Sequence, residues 1–385
     1  MENKALKKSS YLPYLDGLRA IAALYVVRHH IFLQFKFNYS GFNSIQSWSA
    51  SIFFYGHYAV NFFIVLSGFC LTIPLIKADK FALSNGIITF YSRRFKRIIL
   101  PYFFALLFSL LLIATLIGKK TGTHWDVSIP VSMGDIVTHL LLIQDLFSNT
   151  AAKINHAMWS ISVEFRIYLL FPFLLFVWRK LGPMYALLTS ILISIIIFIL
   201  VNFFNNFLFT KIDDELDGIN PYIILFALGM LAAHISFSTQ TFIIRSIVPW
   251  LLLSFLLLVI SRVLLNFPYF TPLHYSFLLD DVLFGCVSFC FLIGVCHEKG
   301  RFLQKVLSYK PLVFTGNFAY SIYLIHAPLI QVIWQYVIHP FNLTQLCAYY
   351  TLIIVGLPTI IGISYLFYLA FERPFLNNKN RPKTI

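Results

Sequence analysis

The chain has 385 residues, 59% of them hydrophobic and only 11% charged, with a mean hydropathy of +0.79. A soluble domain carries about 25% charged residues, so this composition excludes a water-facing surface. The net charge of +14 is read as the positive-inside bias of a membrane protein beside an anionic leaflet, not as a nucleic-acid footprint.

Apolar runs near the ~20-residue bilayer span predict ten helices, near 15–37, 57–76, 98–117, 161–178, 184–204, 221–237, 247–266, 278–297, 318–338 and 346–371. These runs are too long for barrel strands, so the fold class is an all-α polytopic membrane protein. Basic residues set the orientation. Lys4, Lys7 and Lys8 precede the first helix, Lys77, Lys80, Arg93, Arg94, Lys96 and Arg97 follow the second, and Arg179 and Lys180 follow the fourth. Arg245 follows the sixth, Lys299, Arg301, Lys305 and Lys310 follow the eighth, and Lys379, Arg381 and Lys383 close the chain. The alternate loops are uncharged or, at KIDDELDG (211–218), acidic. This pattern puts both termini in the cytoplasm, with cytoplasmic tails at 1–13 and 374–385. No cleavable signal peptide is expected after MENKALKKSS, because no small-residue cleavage site follows the first apolar run. No internal repeat or low-complexity linker interrupts the chain, so residues 1–385 are read as a single membrane domain. The five cysteines (Cys70, Cys286, Cys290, Cys296, Cys347) form neither a disulfide framework nor a CxxC pair. No metal is expected.

The first helix, YLDGLRAIAALYVVRHH, carries Asp16, Arg19, Arg28, His29 and His30. Ionisable groups inside a bilayer are costly and are usually kept for a task. Arg19 and His30 are eleven residues apart, nearly three whole turns, so they share one face roughly 16 Å apart along the axis. Asp16 lies one turn before Arg19; Arg28 points the opposite way. The plainer alternative, a structural Asp16–Arg19 pair and a histidine at a helix contact, is weaker here because three ionisable groups share the face. In HAMWSISVEFRIYLLFP, Glu164 enters from outside to roughly the depth of His30, with His156, Trp159, Ser160 and Arg166 nearby. Glu164 is read either as a partner that orients a general base or as one half of a structural pair with Arg166 or Arg19. The cluster YSRRFKRIILPY puts Arg93, Arg94 and Arg97 at a Pro-marked helix start. It is either a topology signal or a phosphate site, since Arg forks match phosphate oxygens. Ser67 and Gly68 form a small-residue notch in the second helix. Tyr320, Ser321, Tyr323 and His326 lie in the inner half of the ninth, and Tyr320 and His326 join Ser67, Trp159 and Ser160 as supporting polar positions.

Taken in order, six stretches resemble the acyltransferase-three family of integral membrane acyltransferases: the Arg19-to-His30 spacing in LDGLRAIAALYVVRHH, NFFIVLSGF, RRFKR, WSISVEFRIYLLFP, YSIYLIHAPL and FERP at Glu372–Pro374. The resemblance runs from residue 14 to residue 374. It implies a ten-helix transferase in the bacterial inner (cytoplasmic) membrane that moves an acyl group, commonly acetyl, from cytoplasmic acyl-CoA to an acceptor reached from the far side. The implied acceptors are hydroxyls of cell-envelope glycans such as lipopolysaccharide O-antigen, exopolysaccharide, capsule or peptidoglycan, or a lipid-linked sugar. It also implies His30 as the catalytic histidine, Arg19 as its motif partner, Glu164 in the core, and Arg93, Arg94 and Arg97 on the CoA phosphates. Some relatives continue into an extracellular hydrolase-like domain; this chain is expected to be the stand-alone form. Where many relatives carry a second acidic residue or a Gln, Glu164 is followed by Phe165 and Arg166. Partners expected are acyl-CoA, the glycan acceptor and membrane lipids, with no nucleic acid. A transporter or flippase of an envelope glycan, and the same chemistry with succinyl or a longer acyl group, are the competing readings.

Overall fold

The computed structural model describes residues 11–35, 53, 55–78, 83, 86–207, 221–238, 248–266, 276–297 and 300–376. The basic residues of both tails, Lys80, Arg245, Lys299 and the acidic 211–218 stretch lie outside the described residues.

Apart from two short 3-10 turns at His124–Ser128 and Gln144–Leu146, thirteen helices and no strand occur among the described residues. They are α1 (Pro13–Gln34), α2 (Gly56–Lys77), α3 (Gly86–Ile117), α4 (Met133–Leu140), α5 (Trp159–Leu181), α6 (Pro183–Phe207), α7 (Tyr222–Phe237), α8 (Val248–Asn266), α9 (Ser276–Cys296), α10 (Arg301–Leu307), α11 (Lys310–Gly316), α12 (Ala319–Phe341) and α13 (Gln345–Phe375). Each of the ten predicted segments falls on one of them. Seven are long and apolar enough to cross a membrane: α2, α3, α5, α6, α9, α12 and α13. The α7 helix and the Val248–Ser261 part of α8 are apolar but shorter. The chain is an all-α integral membrane protein. On α6, Leu188, Leu192, Ile195 and Ile199 are exposed. They recur at helical spacing, an apolar stripe suited to lipid rather than water.

The α1 helix opens at Pro13 after extended Leu12; proline is pre-organised for the first turn, where its missing N–H goes unused. Its neighbours are α2, α11 and α12, while α2 also packs on α7 and α9. The crossing of α2 and α7 is set by two glycines. A Cβ on Gly68 would lie 2.1 Å from Phe226 O, and one on Gly229 would lie 1.9 Å from Val65 O. The backbones touch where no side chain intervenes, the small-residue packing used between membrane helices. The notch read in the second helix is therefore Gly68 alone; Ser67 points elsewhere.

The third element departs from its predicted start. It begins at Gly86, so Arg93, Arg94 and Arg97 lie within a helix rather than ahead of one, and no free helix N-terminus stands beside them. Pro101 is tolerated because the preceding stretch, Phe95–Ile99, is a π-helical turn. Proline cannot donate to the carbonyl four residues back, and the wider turn takes up that mismatch; the N–H of Leu100 reaches Phe95 O instead. Such turns are common at functional sites.

Between α3 and α5, residues 118–158 fold back onto the bundle. Within them, α4 is closed by a capping box in which Ser132 Oγ accepts from the Asp135 N–H and Asp135 Oδ2 accepts from the Ser132 N–H. Tyr102 Oη of α3 donates to His139 O at 3.0 Å, and Asn155 Nδ2 donates to Leu324 O of α12 at 2.9 Å. Trp125, within this segment, is fully buried.

Candidate functional site

Two polar clusters lie at different depths along α1. The outer one is built on His30. Its Nδ1 lies 2.7 Å from Nε2 of His326 on α12. His326 Nδ1 in turn lies 2.8 Å from Tyr323 O and 3.1 Å from Ile322 O. A carbonyl only accepts, so His326 carries its proton on Nδ1 and, in a neutral ring, its Nε2 is a lone pair. His30 must then donate its own Nδ1–H to that lone pair, which leaves His30 Nε2 as a bare acceptor. The ring of His156 packs against His30 with centroids 4.8 Å apart, and that of His124 lies 6.2 Å away. His156 precedes α5, outside the spanning helices; burial first, and then the neighbouring imidazoles, push it well below its ordinary value, so it is neutral. One turn further out, Gln34 Nε2 donates to Gln331 Oε1 at 2.6 Å, and Thr123 Oγ1 donates to the same oxygen at 3.0 Å.

The inner cluster is built on Arg19. Its guanidinium forms an ion pair with Asp16 and contacts Cys70 Sγ at 3.2 Å. One turn along α2 from Cys70, Ser67 Oγ donates to Glu164 Oε1 at 2.9 Å, and Tyr168 Oη donates to the same oxygen. Arg94 stacks over Phe90 and Tyr168 and lies within electrostatic reach of Glu164, Arg97 and Arg19. Its buried Nε has no protein partner. Arg97 acts on Glu372, which accepts from Ser321 Oγ at 2.5 Å, and Tyr320 Oη donates to Ile98 O at 2.9 Å. Arg93 is exposed and stands apart from this group.

Three sequence expectations change here. His326, read as lying in the inner half of its helix, meets His30 in the outer cluster. Glu164 does not orient His30: its hydrogen bonds go to Ser67 and Tyr168 on the Arg19 side, and His326 holds His30 instead. Nor is Glu164 paired with Arg166. That guanidinium is claimed by Asp145, with Nη1 donating to Oδ1 and to Leu142 O, each at 3.0 Å. Asp145 lies outside the spanning helices, and burial raises its carboxyl while Arg166 opposes the rise. Counting residues fixes depth only if both helices stand upright; α5 carries Glu164 inward of the level of His30. Ser160 sits between the clusters, its Oγ 2.6 Å from Tyr323 Oη.

A third polar group escaped the sequence reading. Asp281 Oδ1 accepts from Asn61 Nδ2 at 2.6 Å and lies 2.8 Å from His57 Nε2. Asp280 accepts from Ser261 Oγ at 2.8 Å and from Tyr58 Oη. Trp159 stacks on His57 with centroids 5.9 Å apart and planes 11° from parallel. The signal was available: SFLLDDVLFG sets two adjacent carboxylates inside a predicted apolar helix, which calls for partners. His124, in the otherwise ordinary TGTHWD, offered no such cue.

The family model for an acyltransferase domain matches residues 12–369. The chain is similar to the O-acetyltransferase OatA of Staphylococcus aureus, 26% identical over 348 residues, which is 85% of this chain and 52% of that protein. It is similar to the putative peptidoglycan O-acetyltransferase YrhL of Bacillus subtilis, 26% identical over 335 residues (83% of this chain, 49% of that one). It is also similar to the peptidoglycan O-acetyltransferase OatA of Listeria monocytogenes, 25% identical over 334 residues with the same coverage. The chain thus spans about half the length of these curated relatives. No solved structure matches.

Proposed function

The chain belongs to the acyltransferase-three family, and on that premise we propose that it transfers an acetyl group from cytoplasmic acetyl-CoA to a hydroxyl of a cell-envelope glycan in the bacterial cytoplasmic membrane. The observation that carries this reading is the His326–His30 hydrogen bond, which leaves His30 Nε2 unprotonated.

A neutral imidazole with a bare nitrogen is a general base matched to neutral pH. His30 Nε2 takes the proton of the acceptor hydroxyl as its oxygen attacks the thioester carbonyl. The C–O bond forms, the C–S bond breaks, and the imidazolium returns that proton to the departing thiolate. His326 accepts from His30 Nδ1 throughout and steadies the charge that forms on the ring. At the inner cluster, Arg94 and Arg97 meet the CoA phosphates, with Arg19 beside them. Arg19 lies roughly 16 Å along α1 from His30, so its role is to hold the donor and not to stabilise an oxyanion at the acyl carbon. The pantetheine arm spans the distance between the clusters. Asp16, Ser67, Glu164 and Tyr168 fix the charges around the donor's inner end.

Two of the relatives are named for peptidoglycan, which makes it the first acceptor to assay; lipopolysaccharide, capsule and exopolysaccharide are separate arms of the same test. Membership of an acyltransferase family leaves the transporter reading without an observation in its favour. The deciding experiment is mass spectrometry of envelope glycans from cells with the wild-type protein, with His30→Gln, and without the protein. A base-labile acetyl ester present only with wild type is expected. Identical glycans in all three, or full acetylation by His30→Gln, would overturn the proposal, and a heavier ester would replace acetyl by the acyl group found.

A further inference from the structure

The outer cluster holds more imidazole than a base and its orienting partner require. His30 comes from α1, His124 from the short turn His124–Ser128, and His156 from just ahead of α5. One ligand nitrogen from each lies within 4.8 Å of the other two, and the His124 and His156 ring centroids are 4.6 Å apart. Two of the three rings are held from behind. His326 takes the Nδ1–H of His30, and Ser128 Oγ lies 3.0 Å from His156 Nδ1. On the other side of the His156 ring, Nε2 is buried and meets no protein donor or acceptor. An imidazole that gives one N–H to a fixed partner and turns its bare nitrogen to a shared point is the arrangement found behind metal-bound histidines.

We propose that His30, His124 and His156 bind a divalent transition ion of the zinc class, and that the bound ion switches the enzyme off by occupying the lone pair that His30 needs as a base. Neutral nitrogen ligands suit zinc, cobalt, nickel or copper and not magnesium or calcium. Three imidazoles leave a fourth position for water or an anion. Zinc–nitrogen bonds of about 2.0–2.1 Å set tetrahedral ligands about 3.3 Å apart. Each nitrogen therefore moves by less than about 1 Å to close on the ion, a side-chain rotation. The ion forms three N–metal bonds, one to the lone pair of His30 Nε2 and one to a ring nitrogen each of His124 and His156, and releases water. The ion site stands on the geometry alone. The switch rests on the reading of His30 as the base.

The test uses the full-length protein in detergent, stripped with a chelator and then titrated with Co2+ alone. One Co2+ per chain is expected, with the visible absorption of a tetrahedral nitrogen site, displaced by Zn2+. His124→Ala and His156→Ala should each weaken binding at least tenfold, while His57→Ala, whose ring is held by Asp281 in the third polar group, should bind as wild type. Size-exclusion elution and the unfolding temperature check that the variants are folded. No stoichiometric Co2+, or undiminished binding by both the His124 and His156 variants, overturns the site. Transfer to the glycan is then measured with Zn2+ at the saturating level found in the titration. Loss of transfer restored by chelator supports the switch; unchanged transfer by the zinc-loaded protein removes the switch and leaves the ion site in place. The base reading itself fails separately, on full transfer by metal-free His30→Gln.

Discussion

His326 does its work through His30. Its Nδ1–H is committed to the Tyr323 and Ile322 carbonyls, so the one nitrogen left must accept, and that choice fixes the proton on the far side of the next ring. Replacing it by Ala leaves His30 free to take the other tautomer. General-base catalysis contributes about 10²–10⁴ in rate, and His326→Ala should lose at least a tenfold part of it in kcat. KM for acetyl-CoA should change little if, as proposed, the donor's phosphates are held at the inner cluster. His326→Gln offers a side-chain carbonyl to His30 Nδ1–H and should recover part of the rate. An equal loss in both variants, or a loss confined to KM, would argue that His326 only packs α12 against α1. Steady-state kinetics on membranes containing each variant makes the comparison.

Elements were legible in the sequence to the extent that hydropathy defines them. All ten apolar runs fall on helices, because in a bilayer every backbone group must be satisfied within the segment and length follows from thickness. Rotation and tilt were not legible, and there the reading of Glu164 went astray: Ser67 and Tyr168 claim it, and Asp145, reaching in from the folded-back segment, claims Arg166. The α2–α7 crossing is another feature that depends on tertiary contact. Gly68 reads as an ordinary small residue until Phe226 O is found 2.1 Å from where its Cβ would stand. Gly229→Ala places a methyl group 1.9 Å from Val65 O and must part the two helices. Such overpacking costs about 1–3 kcal/mol, read as a lower unfolding temperature in detergent; Gly362→Ala, which meets nothing within 4 Å, is the control. In the segment 118–158, His139 is buried, and that burial pushes its pKa below the ordinary value; the Asp135 and Lys153 carbonyls and the Asp135 charge pull the other way. The folded state therefore disfavours the protonated ring. The stabilising contribution is complete above the unfolded value of about 6.5 and is lost as pH falls below it. The hydrogen-exchange protection factors of α4, taken relative to the intrinsic rate at each pH, should fall between pH 7 and pH 5, and His139→Asn should remove most of that fall.

Across the whole molecule, the proposed mechanism divides the donor between the two clusters. On that proposal the phosphates lie at the inner end, with Arg94 and Arg97, and the acyl carbon at the outer end, with His30. A donor that keeps the acyl-pantetheine arm but lacks the nucleotide phosphates should reach His30 and yet bind poorly. Acetyl-pantetheine is such a donor, and with wild-type protein its kcat/KM should fall well below that of acetyl-CoA. Hydrogen bonds to charged groups contribute about 1.5–3 kcal/mol, so Arg94→Ala and Arg97→Ala should each lower kcat/KM for acetyl-CoA by about 10–100-fold. With acetyl-pantetheine neither substitution has a phosphate contact to remove, and the wild type and both variants should turn over alike. Arg93→Ala, on the exposed side of α3, should match wild type with both donors. The two-donor comparison separates a broken fold from a lost contact: an unfolded variant fails with both. If Arg94→Ala and Arg97→Ala cut both donors equally, the inner arginines hold the bundle together, and the CoA phosphates must be held somewhere other than the inner end of α3.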